Sequence, residues 1–238
     1  SRYRGQPCAP NIGSDLREVE AAHNAVARGA ARATAAHKAG LQVMIEGVGD
    51  RGIDFALDVM EAALAAHPVA DHRMRVEHCC YVTPPILQRL KRGGFVDSSA
   101  TGFMDELGEA YSANRGRDAM RWMWPHRSLI DAGVPAPGHS DFAVCRVSPW
   151  TALGAMVTRR TTGGTDLDQR EAITPIEALH AYTTLGAWAQ REEHEKGSLE
   201  IGKLADLIVL DRDVLTGEDI AGTQVLATVV GGRIRHQA

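Results

Sequence analysis

Leu41-Gln42-Val43-Met44-Ile45-Glu46, then Gly47-Val48-Gly49, then Asp50-Arg51-Gly52-Ile53-Asp54-Phe55-Ala56-Leu57 is the stretch that decides the fold. The first six residues read as a short, largely buried strand. Asp50 stands where a helix cap belongs, and a helix is expected from Arg51 to about Ala66, closed by His67-Pro68. Strand, glycine turn and helix make one unit, and the unit recurs. Met74–His78 is a strand, Thr83-Pro84 opens a helix with Thr as cap, and Gly93-Gly94 ends it. Phe95–Ser99 is the next strand. A looser stretch with Trp122 and Trp124 leads to a helix from Pro125 to Ala132. Val134-Pro135-Ala136 then runs into Gly138-His139-Ser140-Asp141, and a helix follows Ser148-Pro149. Four strand–helix units in series imply parallel pairing with helical crossovers, hence an α/β protein.

The flanks read differently. The first 13 residues are irregular, and Asp15 with Glu18 resembles a capping box for an alanine-rich helix to Lys38, stopped by Gly40. Thr174-Pro175-Ile176-Glu177 is a second capping box, for a helix to about Gln190. Beyond it, Lys203–Leu210 and Val225–Val230 are strands, with turns at Gly217, Gly222 and Gly231-Gly232. The expected organisation is therefore an α/β part over 1–193 and a small β element over 194–238.

Composition excludes several classes. The 238 residues carry 26 Lys+Arg against 30 Asp+Glu, a net charge of -4, and 44% hydrophobic residues. That apolar share excludes wholesale disorder. No run reaches the roughly 18–20 apolar residues of a membrane span. The acidic balance speaks against a nucleic-acid binder. Cys8, Cys79, Cys80 and Cys145 form no C-x-x-C pair, which suits reduced thiols in a cytoplasmic protein. No signal peptide is visible, and the absence of an initiator Met points to a true start elsewhere.

Reactive groups in parallel α/β folds gather where strands end. Here those junctions carry Glu46, Asp50, His78, Ser98-Ser99, His139 and Asp141. Carboxylates and imidazoles at successive strand ends are what a Zn or other divalent site needs. A competing motif is Gly47-x-Gly49-x-x-Gly52, with Glu77 some 25 residues on, the layout of a dinucleotide site. Against it, Glu46 and Asp50 would set two carboxylates beside the pyrophosphate.

Four segments resemble the amidohydrolase superfamily, specifically its amidohydrolase-3 group. Glu46-Gly47-Val48-Gly49-Asp50-Arg51-Gly52-Ile53-Asp54 resembles that group's fifth-strand His-Ala-x-Gly-Asp-Arg-Ala-x-Asp. Arg75-Val76-Glu77-His78-Cys79 is similar to the sixth-strand Ile-Glu-His, and Gly138-His139-Ser140-Asp141-Phe142-Ala143-Val144 to the eighth-strand Gly-Ser-Asp-x-Pro-Val. Glu195 to Asp211 resembles the return into a small β-sandwich. The resemblance implies the carboxy-terminal half, strands five to eight, of a (β/α)8 TIM-like barrel followed by a β-sandwich segment. It implies one or two divalent ions, Zn above all, held by His78 and Asp141, with Asp141 as general base. Glu46 replaces the family's fifth-strand His and is either a third ligand or a structural or substrate-facing acid. Asp50 and His139 support the ligands, while His23, His37 and His194 are solvated.

The implied activity is hydrolysis of an amide or related C–N bond of a small molecule by metal-activated water. No nucleic acid or membrane is involved. The expected partners are the N-terminal half of the barrel, which would cover two open sheet edges, and further copies in a homo-oligomer. Two other readings stand beside it: a metal-poor, catalytically silent scaffold, and a nucleotide-binding oxidoreductase using Gly47, Gly49 and Gly52.

Overall fold

The computed structural model describes the backbone of residues 16–238 and the side chains from Asn24 onward. The expected Asp15–Glu18 cap, the irregular first 13 residues, Cys8 and His23 lie outside the described part. Helix α1 (Leu16–Lys38) leads to strand β1 (Met44–Gly47), helix α2 (Asp50–Ala66), strand β2 (Arg75–His78), helix α3 (Pro84–Gly93) and strand β3 (Val96–Ser99). The three strands form a parallel sheet in the order β1-β2-β3. Glu46 sits opposite Glu77, Glu77 opposite Ser98, Gly47 opposite His78 and His78 opposite Ser99.

Helical periodicity explains what covers this sheet. Ile53, Ala56, Leu57, Met60 and Ala63 recur every three or four residues along α2, and all are buried with Val76, Ile86 and Leu90. Gly47 makes the close crossing of β1 and α2 feasible, because a Cβ there would lie 3.0 Å from the backbone of Ile53. Gly94, at φ 66, closes α3 in the left-handed conformation that side chains resist.

Several expectations need correction. Strand β1 is not largely buried: Met44 is 54% exposed, since alternation puts it with Glu46 on the face that α2 and α3 do not cover. Asp50 is not the cap of α2. Gly49 holds that position with extended backbone, and Asp50 is the first helical residue. The fourth unit forms no regular strand, and its prolines explain why. Pro135 and Pro137 accept the N–H groups of Asp97 at 3.0 Å and Ser99 at 2.9 Å but have none to return. The ladder becomes mutual only at His139, whose N–H donates to Ser99 O at 3.0 Å.

The loose stretch after β3 contains helices α4 (Gly102–Glu106) and α5 (Gly108–Arg115), then a 3-10 turn at Arg117–Trp122 and helix α6 (His126–Ala132). Helix α7 (Trp150–Thr158) follows as expected. The capping box at Thr174 and Glu177 forms and opens α8 (Pro175–Tyr182), but the helix breaks at Thr183, and α9 (Thr184–Ala189) continues alone. Trp124, Met104, Met120, Met123, Leu153 and Met156 build a second core here. Through it runs Arg159, fully buried, donating to the backbone carbonyls of Met120, Met123, Trp124 and Leu167. Burial holds its pKa down to about 10, against the pull of Glu171. This one side chain ties the excursion after β3 to the one after α7. His37, expected in solvent, is instead buried, its Nε2–H donating to His67 O at 3.0 Å.

Strands β4 (Leu207–Leu210), β5 (Val225–Val230) and β6 (Arg233–Gln237) form an antiparallel sheet in that order. The third strand was not expected, because alternating Arg233-Ile234-Arg235 is exposed throughout and carries no core signal. Leu207–Leu210 is a strand but not a buried one: Ile208 and Val209 are 45% and 47% exposed. Val214 and Ile220, on turns between β4 and β5, join the second core beside α7 and α8. No described helix is long and apolar enough to cross a membrane.

Candidate functional site

The residues expected at the strand ends meet at the carboxy-terminal edge of the parallel sheet. Alternation places Glu46, Glu77 and Ser98 in one row, on the face away from the α2–α3 core. His78 belongs by alternation to the opposite face. Its backbone, at φ 71, and that of Cys79, at φ 41, are both left-handed and turn the strand end over. The His78 ring thereby meets the row. Its Nε2 lies 3.2 Å from Glu46 Oε1, and its Nδ1 lies 3.9 Å from Asp141 Oδ2. Phe103 stacks on the ring with centroids 5.7 Å apart and planes at 19°.

Asp141 is held from behind. Its backbone N–H donates to His139 Nδ1 at 3.1 Å, with φ at 52. His139 Nε2 lies 3.0 Å from Ser98 O, a carbonyl that can only accept, so the ring proton sits on Nε2 and Nδ1 keeps its lone pair. Burial holds the His139 pKa below the ordinary imidazole value, against the pull of Glu77 Oε2 at 3.8 Å. Glu77 also accepts from Ser98 Oγ at 2.8 Å and pairs with Arg75.

Glu46, His78, His139 and Asp141 are thus brought together. Asp50 stands apart, with no hydrogen bond to any of them among the described residues. Glu77 was missed as a partner of His139. Its place opposite Ser98 follows from strand register, which no single strand's sequence contains. Asp97, one strand over, was also missed. It is wholly buried and accepts from Ser99 Oγ at 2.8 Å, and burial pushes its carboxyl up to about 7, against its hydrogen bonds to Ser99 and Cys79.

The donor set fits a divalent ion in part. His78 Nδ1 is buried and has no hydrogen-bond partner. Two donors bound to one Zn at about 2.0–2.2 Å each lie at most about 4.4 Å apart, and the His78–Asp141 spacing of 3.9 Å falls within that. Glu46 faces the other ring nitrogen, on the far side of the imidazole, so the two carboxylates do not converge on one point. Among the described residues, no group of three or more His, Cys, Asp or Glu side chains is gathered closely enough to hold an ion. The His78 Nδ1 and Asp141 Oδ2 pair has a spacing that one ion could bridge.

An α/β fold with imidazole and carboxylates gathered at the ends of parallel strands is an arrangement suited to metal-assisted chemistry. The chain belongs to the amidohydrolase family, whose profile matches residues 15–236. It is 33% identical to the N-substituted formamide deformylase of Arthrobacter pascens, over 97% of this chain and 42% of that protein. It is 30% identical to the protein LONG AFTER FAR-RED 3 of Arabidopsis thaliana, over 84% of this chain and 35% of that protein. Among solved structures it superposes with a TM-score of 0.65 on an uncharacterised metal-dependent hydrolase from Pyrococcus horikoshii. The two are 26% identical, and the match covers 84% of this chain and 38% of that one. The chain therefore spans less than half the length of these relatives. Within this family the Gly47–Gly52 motif serves as the strand-to-helix turn already described.

Proposed function

We propose that the protein carrying this chain is a metal-dependent hydrolase that cleaves an amide or related C–N bond of a small molecule. The observation that carries this reading is the buried, unpartnered Nδ1 of His78 facing Asp141. When bound, a divalent ion, Zn above all, supplies Lewis acidity that activates water and polarises the carbonyl. His78 would offer Nδ1 to the ion, while its Nε2 side faces Glu46 Oε1 at 3.2 Å, which favours this ring orientation. Glu46 is read on this geometry as an orienting acid rather than a ligand. Asp141 takes the proton of the attacking water on its carboxylate and delivers it to the leaving nitrogen. His139 holds the Asp141 backbone in place for this. We read the three strands and the proline-bearing fourth segment as strands five to eight of a (β/α)8 barrel. The remaining strands and ligands, and β structure that covers the 194–238 element, would come from outside this chain.

Elemental analysis of the protein, purified without chelator, tests the reading. Near-stoichiometric divalent metal, lowered by His78→Ala, is expected. Less than about 0.1 equivalent of any transition metal would overturn it.

A further inference from the structure

The carboxy-terminal end of the parallel sheet carries a cation that the mechanism above leaves unused. Arg115, the last residue of α5, is half-buried, with its guanidinium carbon 4.5 Å from the centre of the Tyr81 ring. Its Nη2 lies so near Gly49 that a Cβ there would stand 3.3 Å from it. Gly49 is three residues past Glu46, and Tyr81 three past His78. The guanidinium thus bridges the two turns that leave the site-bearing strands. Tyr81 is itself fixed: its N–H donates to Val48 O at 3.2 Å, and it forms a β-bridge with Met123.

Three other arginines of these segments are engaged. Arg117 meets Asp166 at 2.9 Å, Arg146 faces Glu106 at 3.7 Å, and Arg75 pairs with Glu77. Arg115 has no carboxylate or carbonyl partner among the described residues. Stacking on a ring immobilises a guanidinium while leaving its N–H fork free, and that fork matches a carboxylate in two parallel hydrogen bonds. Glu46, Asp50 and Asp141 at the same end of the sheet disfavour an anionic substituent beside them, whereas Arg115 offers it a counter-charge.

We propose that Arg115 binds a carboxylate of the substrate, which makes the ligand class N-acyl amino acids and similar carboxylate-bearing amides. The scissile bond in this statement rests on the hydrolase reading, whereas the subsite is a matter of binding alone. Gly49 and Tyr81 follow Glu46 and His78 by three residues each, so a carboxylate anchored there lies at the same end of the sheet as the site.

The probes are N-benzoylglycine and its uncharged primary amide, titrated calorimetrically into the protein carrying this chain. The acid should bind at least about tenfold more tightly than the amide. Arg115→Met should bring the two within about twofold without weakening the amide, while Arg115→Lys, which keeps the charge, should retain part of the preference. Equal binding of the two probes by the native protein, no binding of the acid, or a preference that survives in Arg115→Met would overturn the subsite. If Arg115→Met does not fold, Arg115→Lys decides: an undiminished preference overturns the proposal and a reduced one supports it. Acid preference without hydrolysis of either probe would leave the subsite standing and remove the hydrolase reading. Hydrolysis of both without preference would do the reverse.

Discussion

The parallel sheet β1–β3 and the antiparallel sheet β4–β6 have three strands each, yet they relate to the rest of the chain in opposite ways. Helices seal one face of the first, where Val76, Leu57 and Phe95 are inaccessible, and its other face bears the polar row that ends in the site. The second keeps aliphatic side chains half-exposed on both faces: Ile208, Leu226 and Val230 on one, Val209 and Ile234 on the other. Crossover helices come with parallel strands, because the connection itself must travel the length of the sheet. Antiparallel strands joined by short turns bring no such cover. The difference shows which sheet the chain covers with its own helices and which one it leaves bare on both faces.

The largest effect expected is at the mouth of the parallel sheet. Asp141→Asn keeps shape but cannot take a proton, and kcat should fall by about 10²–10⁴ with the thermal midpoint nearly unchanged. Steady-state kinetics and calorimetry decide this. Activity within about threefold of native, or an unfolded protein, would make Asp141 a structural residue.

Next in size is core packing. Leu57→Ala, under the parallel sheet, should cost about 2–5 kcal/mol in urea unfolding. Ile208→Ala, in the open sheet, should cost under about 0.5 kcal/mol in this chain. A cost for Ile208→Ala of about 1–2 kcal/mol in a longer protein would show that its sheet is covered there. Equal costs for the two substitutions in this chain would erase the contrast between the sheets.

Asp97 gives the parallel sheet a pH dependence from inside its core. Its proton is held up to about pH 7 when folded, against 3.8 for the free carboxyl. Because the folded pKa is the higher one, its stabilising contribution is complete below 3.8 and is lost as pH rises through 7. Asp97→Asn should flatten the stability profile between these limits, by on the order of 3 kcal/mol over the part from pH 5 to pH 7 at 1.36 kcal/mol per pKa unit. Urea midpoints at pH 5 and pH 8 read this directly, and a slope unchanged in the variant would refute it.

Local signals were the ones legible in the sequence. Thr174 and Glu177 cap each other three residues apart, so four consecutive residues contain the whole interaction. Gly94 ends α3 for an equally local reason. Glu46, His78, His139 and Asp141 could be named because each lies at a strand end, but their pairing could not. Which ring nitrogen faces which carboxylate depends on the turned-over backbone at His78 and Cys79. Arg159 and Asp97 were unreadable for a related reason. Charged residues are normally taken for surface, and only the folded chain shows the carbonyls and hydroxyls that accompany them inside. Strand β6 escaped notice because nothing on it is buried.

That last strand also governs how the protein behaves at high concentration. β6 forms one margin of its sheet, and Arg233 and Arg235 flank Ile234 along it. Charges on such a margin deter a second molecule from docking strand to strand, since two copies would bring four guanidinium groups together. The deterrent is electrostatic and therefore weakens as added salt shortens its range to about 3 Å at 1 M. Storage buffers of low ionic strength would keep this protein dispersed, and salting it heavily would remove its own safeguard against self-assembly.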